Sequence, residues 1–209
     1  MVKKLTGALP TTGHFTFTRP ARPGDYCVLL ASADGPGLVR LRRYQEVLQS
    51  VYGGRPSEPV HLTCNRFERG PTARISTFVN ALAARLTHFQ NFPVVPQSYL
   101  PQFSPFRNIN ILKWKVSPSD DLVKIHAFIE AAIAEAGHVS MYPPGWLSTL
   151  VTALEDIKVF TPDKSAVDLT LPHPLFIAGE IIISRVNNFD NFQTIERLPF
   201  PTATWKPSS

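Results

Sequence analysis

The chain has 209 residues, a formal net charge of +5 and a pI near 9.4. Its 44% hydrophobic and 18% charged residues exclude a disordered chain and favour one globular domain over 1–209, with 200–209 as a tail. Gly179 and Glu180 interrupt the longest apolar run, and residues 1–10 lack the apolar stretch of a secretory signal. With only two cysteines, we expect a cytoplasmic protein. We also expect a monomer that does not enter membranes, and its positive charge suits a phosphate-bearing ligand.

Apolar residues recur at both strand and helix periods, which predicts mixed α and β structure. In the first half the pattern predicts strands at 14–18, 25–32 and 60–67, and helices at 35–52 and 70–86. In the second half it predicts strands at 108–116, 138–141, 166–171, 176–186 and 193–198, and helices at 117–136 and 146–157. Strand, helix, strand and helix thus occur twice, which indicates an internal duplication of architecture.

Two short predicted strands carry a histidine, an apolar residue, a hydroxyl residue and another apolar residue. They read His61-Leu62-Thr63-Cys64 and His138-Val139-Ser140-Met141. Residues two apart on a strand share a face, so each histidine projects beside its hydroxyl. If the strands lie side by side, one imidazole can take a proton and the other can give one, while the hydroxyls donate to phosphate oxygens. The pair therefore favours metal-free phosphodiester chemistry, although a third match at His14-Phe15-Thr16 shows how common the short motif is.

In this order of elements, the two motifs resemble those of the two-histidine (2H) phosphoesterase superfamily, the 2′-5′ RNA ligase-like and 2′,3′-cyclic nucleotide phosphodiesterase proteins. The likeness covers about residues 24–200. It implies an α+β fold of two pseudo-symmetric lobes, each an antiparallel sheet with helices outside, around a central cleft. It also implies a hydrolase that needs no metal and no cofactor.

The resemblance further implies in-line attack of water on the 2′,3′-cyclic phosphate of an RNA end or nucleotide, which leaves a 2′-phosphate. We expect His138 as the base and His61 as the acid, with the two roles interchangeable, and Thr63 and Ser140 as the phosphate-binding residues. Cleavage of 2′-5′ linkages, the reverse ligation, and RNA or nucleotide binding without turnover are the alternatives. An alignment of the second strand with Trp146-Leu147-Ser148 would remove the second histidine, but the helical spacing of 146–157 favours His138.

Aromatic and basic residues supply further candidates. Residues in proline-rich loops that could stack a nucleobase, or simply cap the core, are Tyr99, Phe103, Phe106 and Tyr142. Residues that could steer phosphates, or form a solvated face, are Arg66, Arg69, Arg74 and Arg107. We expect structural roles for His88, His126 and His173. The sequence has no glycine-rich phosphate loop, paired-cysteine motif or zinc-hydrolase helix motif.

Overall fold

The computed structural model describes residues 19–32, 35–104, 107–160, 171–188 and 191–201. The helices are α1 (Gly35–Tyr52), α2 (Ile75–Leu86) and α3 (Asp120–Glu135). The strands of the first half are β1 (Tyr26–Ser32), β2 (Arg55–Pro56), β3 (His61–Glu68), β4 (Phe92–Val94) and β5 (Pro96–Ser104). Those of the second half are β6 (Ile109–Val116), β7 (Val139–Ser140), β8 (Leu150–Glu155), β9 (Phe176–Asn188) and β10 (Asn191–Pro199).

All ten strands form one antiparallel sheet, with the main order β10-β9-β1-β3-β8-β6-β5. The three helices pack on one face, here named the helix face, where their apolar residues join those of the central strands in a single core. Leu30, Leu62 and Trp114 are fully buried there. The opposite face, here named the open face, carries a small apolar cluster around Leu29 and Ile182. The predicted α+β class, with antiparallel strands and helices outside, is confirmed.

The two halves of the chain repeat the same strand pairing on either side of the sheet centre. In the first half Leu30 of β1 faces Leu62 of β3, and in the second half Trp114 of β6 faces Val151 of β8. The connecting helices α1 and α3 occupy the same place in each half. Leu62 and Val151 also face each other, so the centre of the repeat falls between β3 and β8. The strand pairing is therefore repeated in the two halves of one sheet.

A β-bulge follows the same position in each half. The β1–β3 register shifts between Val28 and Leu29, which leaves Cys64 without a partner in the ladder. The β6–β8 register shifts between Leu112 and Lys113, which leaves Ala153 in the corresponding place. A bulge puts two consecutive residues on one face of its strand. Cys64 and Ala153 accordingly lie in the core on the helix face.

The predicted fourth helix over 146–157 is wrong, because this segment contains strand β8. The bulge at Ala153 places Val151 and Leu154 three residues apart in the core, and Ile157 follows after three more. That spacing imitates a helical stripe although the backbone is extended. The alternative that placed a strand close to 146–148 is nearer to the observed structure.

Smaller differences have similar local causes. The N-cap of α3 is Ser119, two residues after Ser117, the cap that the sequence predicts. The Ser119 Oγ accepts a hydrogen bond from the Leu122 N–H. The proline-rich β5 forms the edge of the sheet, where missing N–H groups are tolerated. Phe200, which the sequence assigned to the tail, is buried against Phe89 and Phe92. Residues 202–209 and 161–170 and the predicted strand at 14–18 lie outside the described residues. Among the described helices, none is long and apolar enough to cross a membrane.

Candidate functional site

The first motif presents its histidine and its hydroxyl residue together on the open face. Leu62 and Cys64 belong to the core on the helix face, so His61 and Thr63 project to the other side. Both are half-buried. In the adjacent strand, Ala31 pairs with His61 and Leu29 pairs with Thr63. The motif therefore has the orientation that its sequence predicted.

A backbone carbonyl fixes the orientation of the His61 ring. Nδ1 lies 2.6 Å from the Pro59 carbonyl oxygen, which can only accept a hydrogen bond, so Nδ1 carries the proton. The neutral ring consequently has its lone pair on Nε2. Burial lowers the pKa of His61, and this effect outweighs the carbonyl contact, which raises it. His61 is thus held as a neutral imidazole whose Nε2 can accept a proton.

The residues that face the first motif come from β8 rather than from the predicted second motif. Because Leu62 pairs with Val151 in antiparallel strands, Thr152 lies beside His61 and Leu150 lies beside Thr63. In the repeat, Leu150 occupies the place of His61, and Thr152 occupies the place of Thr63. The second half of the site accordingly keeps the hydroxyl and has leucine where the first half has histidine.

His138 is not brought to His61, which corrects the predicted pair. Val139 and Ser140 of β7 pair with the far end of β3, at Glu68 and Phe67. Glu68 lies seven positions along β3 from His61, a distance of about 20 Å. His138 and Ser140 do share a face, as predicted, but it is the helix face, inside the core.

The surroundings of His138 are apolar. The ring contacts Phe67 at 4.9 Å, Tyr26 at 5.8 Å and Phe78 at 6.3 Å between ring centroids. Neither ring nitrogen makes a hydrogen bond of good geometry within the described chain, although the backbone of Glu68 and of Arg74 lies near. Burial lowers the pKa of His138, so the ring is packed as a neutral side chain.

Ser140 is engaged in holding a turn. Its hydroxyl donates to Asn65 Oδ1 at 3.1 Å and accepts from the Tyr142 N–H at 3.1 Å. These contacts fix the loop after β7, which also donates the Met141 N–H to the Arg66 carbonyl. The predicted phosphate-binding role of Ser140 therefore has no geometric support at this position.

Cationic side chains gather over the open face next to Thr63 and Thr152. Arg66 follows the bulge and pairs with Cys27 of the open-face cluster. Lys113 pairs with Thr152, and Lys115 pairs with Leu150. Burial and, to a smaller extent, the charge of Arg66 together lower the pKa of Lys113 to about 8. Arg66 also lowers the pKa of His61, so its guanidinium lies within electrostatic range of both groups.

A partly buried ion pair lies at the edge of this group. Arg107 donates two hydrogen bonds to Glu155, at 2.9 Å and 2.8 Å, and Arg55 adds a third at 3.0 Å. These contacts lower the pKa of Glu155, those of Arg107 most strongly. Glu155 in turn raises the pKa of His61. Arg107, one of the four arginines considered as phosphate contacts, therefore binds Glu155 with both of its Nη atoms.

Of the aromatic candidates, Tyr142 lies near the open face. The charge of Arg66 lowers its pKa, whereas burial raises the pKa more strongly, and the ring stacks on Trp146 with centroids 6.5 Å apart. Tyr99 pairs with Trp114 and packs against the core on the helix face. Phe103 is half exposed at the end of the edge strand, and Phe106 lies outside the described residues.

The remaining sequence candidates lie elsewhere. Arg69 and Arg74 are exposed towards the His138 end of the sheet. His126 has a structural role, because its Nδ1 donates to the Leu122 carbonyl and its Nε2 accepts the Ser148 N–H. His88 and His173 are exposed and lie outside strands β3 and β8. Sequence reasoning missed Thr152, Lys113 and Leu150, because the wrong helix over 146–157 hid the strand that positions two of them.

The sheet order, the outer helices and the open face define the class of fold. The neighbours in structure are members of the two-histidine phosphoesterase superfamily, so the predicted resemblance is confirmed for the fold. An Escherichia coli LigT structure with 3′-AMP superposes with a TM-score of 0.57 at 15% identity, covering 87% of this chain and 100% of that one. Usb1 of Kluyveromyces marxianus gives 0.57 at 13% identity, covering 85% and 99%.

A structure described as a phosphoesterase is also similar, with a TM-score of 0.55 at 13% identity over 86% of this chain and 100% of that one. No protein-family model matches the sequence, and no curated protein matches it. The likeness therefore concerns the fold. The chemistry has to be argued from the residues on the open face.

Proposed function

We propose that the chain is a phosphodiesterase that hydrolyses the 2′,3′-cyclic phosphate of a nucleotide or RNA end on the open face of its sheet. The observation that carries the proposal is the orientation of the His61 ring. The Pro59 carbonyl fixes Nδ1, which leaves Nε2 as the proton acceptor, and the ring shares the open face with Thr63, Thr152 and the cation Arg66. In related folds, the LigT and Usb1 structures were solved with 3′-AMP and uridine monophosphate. A nucleotide phosphate is thus a ligand that suits this face.

The phosphate would lie between Thr63 and Thr152. Their hydroxyls come from adjacent strands and can donate to the two nonbridging oxygens, while Arg66 adds positive charge. Donors that meet charge developing in the transition state contribute most to the rate. The same three groups would bind the 2′-phosphate product, although less tightly than the transition state.

His61 would act as the general base. Its Nε2 removes a proton from the attacking water as the water oxygen bonds to phosphorus, and the bond from phosphorus to the 3′ oxygen breaks. A neutral imidazole is required for this step, and burial keeps His61 neutral at pH 7 by lowering its pKa below 6.5. This assignment replaces the expected one, in which His138 was the base. The same groups would serve the reverse reaction, the joining of ends through a 2′-5′ linkage, and the cleavage of such linkages.

A second candidate function is nucleotide or RNA-end binding without turnover. Leu150 favours it, because the second half of the site has an apolar side chain in place of an acid or base. The hydroxyls and cations would still hold a phosphate. Both functions are consistent with the reducing compartment, such as the cytoplasm, that suits the two free buried cysteines.

The first experiment is hydrolysis of adenosine 2′,3′-cyclic monophosphate in EDTA, followed by chromatography of the products. The wild type should form 2′-AMP. His61→Ala should lose about 10²- to 10⁴-fold in kcat, because the base is removed. His88→Ala is the matched control, since this exposed histidine lies outside the site, and should keep full activity.

Calorimetric binding of 2′-AMP separates the two candidate functions. Binding without hydrolysis of either the cyclic nucleotide or a 2′-5′-linked dinucleotide would establish the binding function and refute the enzymatic one. Full activity in His61→Ala would show that the site is elsewhere. Thr152→Val should weaken 2′-AMP binding without changing the fold, as judged by circular dichroism.

A further inference from the structure

Hydrolysis of a cyclic phosphate needs a proton for the leaving oxygen as well as a base for water. The repeat of the sheet puts Leu150 where a second imidazole would be expected, about 7–8 Å diagonally across the strands from His61. Leucine has no proton to give. If the site hydrolyses phosphodiesters, another group on the open face must supply the proton.

Lys113 is the titratable group that the strand pairing brings into line with His61. His61 lies beside Thr152, and Thr152 pairs with Lys113, so the three residues form one row across β3, β8 and β6. Adjacent strands are about 4.8 Å apart, which puts the Cα atoms of His61 and Lys113 about 10 Å from each other on the same face. A phosphate held by Thr152 would lie between these two side chains.

The side chain of Lys113 lies on the open face. Leu112 and Trp114 lie in the core, so the side chain between them rises from the open face. Arg66 acts electrostatically on both Lys113 and His61, although Arg66 and Lys113 are on strands separated by β8. The Arg66 and Lys113 side chains therefore lie within electrostatic range of each other on the open face, and Lys113 is paired with Thr152.

We propose that Lys113 gives the proton to the leaving 3′ oxygen, taking the part that a second histidine would play, an assignment that rests on the hydrolysis proposed above. His61 Nε2 takes the proton of water, the water oxygen bonds to phosphorus, and the bond from phosphorus to O3′ breaks. The Lys113 ammonium protonates O3′ and becomes a neutral amine. Transfer of the His61 proton to solvent and uptake of one by the amine restore the starting state, so atoms and charges balance.

Several charged groups face Lys113. Those on the open face are Arg66 on β3, Lys115 on the same strand as Lys113, and Glu155 on β8 with its partner Arg107; His61 on β3 is titratable and neutral. The facing positions of β5 are the uncharged Ser98, Leu100 and Gln102. Burial and Arg66 dominate, and together they lower the pKa of Lys113 to about 8. An ammonium with this pKa is charged at pH 7 and still gives up its proton far more readily than an exposed lysine does.

The states of the two groups predict an unusual pH profile. The rate should rise with pH as His61 becomes neutral, below pH 6.5, and should fall only as Lys113 loses its proton, near pH 8. Two histidines of ordinary pKa would instead give a narrow optimum, because the acid would be lost near pH 6.5. The fall of the rate at high pH, here named the alkaline limb of the pH–rate profile, therefore identifies the proton donor.

The test compares Lys113→Met and Lys113→Arg with the wild type on adenosine 2′,3′-cyclic monophosphate between pH 5 and 10. Lys113→Met should lower kcat about 10²- to 10⁴-fold, with a smaller change in 2′-AMP affinity. Lys113→Arg keeps the charge, but a guanidinium does not release its proton in this pH range. The KM should therefore stay within a few-fold of the wild-type value, while kcat falls and the alkaline limb of the pH–rate profile near pH 8 disappears. Lys124→Met, on the exposed surface of α3, is the control for loss of one charge.

The outcomes distinguish this assignment from the proposed function. No turnover by the wild type overturns both. Turnover that needs His61 but survives in Lys113→Met within about threefold overturns only the assignment of Lys113. An alkaline limb that stays near pH 8 in Lys113→Arg and vanishes in Lys115→Arg would move the role to Lys115 and overturn the assignment as well.

Discussion

Leu62 and Val151 face each other at the centre of the sheet, and the two halves of the chain repeat outward from this pair. Each is flanked on its own strand by two open-face residues, histidine and threonine around Leu62, leucine and threonine around Val151. The repeat thus identifies equivalent positions although the two halves share almost no sequence. It shows that the second half has leucine at the position where the first half has His61, the base of the proposed function.

The equivalence of Leu150 and His61 predicts that Leu150→His restores a two-histidine site. A histidine there can give or take a proton beside Thr63, so kcat on the cyclic nucleotide should rise at least tenfold. The alkaline limb should also move down from pH 8 towards 6.5. Leu100→His, the same change on the same face of the edge strand, should give no gain. A Leu150→His protein that folds and shows no higher kcat would contradict the equivalence.

His138→Phe should leave turnover unchanged and raise stability. The aromatic cluster around His138 offers its nitrogens no hydrogen bond of good geometry, and burial of such a polar group costs about 1–3 kcal/mol. Burial lowers the folded-state pKa of His138, so wild-type stability falls as pH drops below the unfolded value of 6.5. The gain in unfolding free energy should therefore be larger at pH 5 than at pH 8. Urea unfolding at both values measures it, and a large loss of kcat would reinstate the predicted histidine pair.

Glu155→Gln should destabilise the protein at pH 7 by about 1–3 kcal/mol, because the amide cannot replace charged hydrogen bonds to Arg107 and Arg55. These bonds lower the folded-state pKa of Glu155 below 4.5, so their contribution is present above pH 4.5 and lost as pH falls through the lowered value. The difference between variant and wild type should thus shrink towards pH 3. Glu46→Gln, exposed on α1, is the control; an equal deficit at both pH values would disprove the ionic contribution.

Ser119→Ala should cost about 1 kcal/mol of unfolding free energy, since the Ser119 hydroxyl caps the first turn of α3. Ser117→Ala, at the position that the sequence indicated, should change it by less than about 0.5 kcal/mol. Thermal unfolding of the two variants compares the two caps directly. The reverse order of effects would show that the sequence had located the cap correctly.

Local patterns predicted most of the fold because most elements are regular. The helix Gly35–Tyr52 and the strands around His61 and Ile109 fall within a residue or two of their expected bounds. The site was harder to predict, since it depends on which strand lies beside His61. The bulge at Ala153 concealed that strand, and His138 matched a motif whose short length could not distinguish a core position from an open one.

Within the described sheet, β3 and β8 share a single residue pair in register, whereas each is joined to its outer neighbour by five or six pairs. The seam between the halves is therefore held mainly by side-chain packing, and only slightly by the backbone. Small rotations about the line through Leu62 and Val151 would widen or narrow the gap between Thr63 and Thr152 while breaking few hydrogen bonds. In the proposed function, the affinity for a phosphate would therefore depend on how well two buried aliphatic side chains pack together.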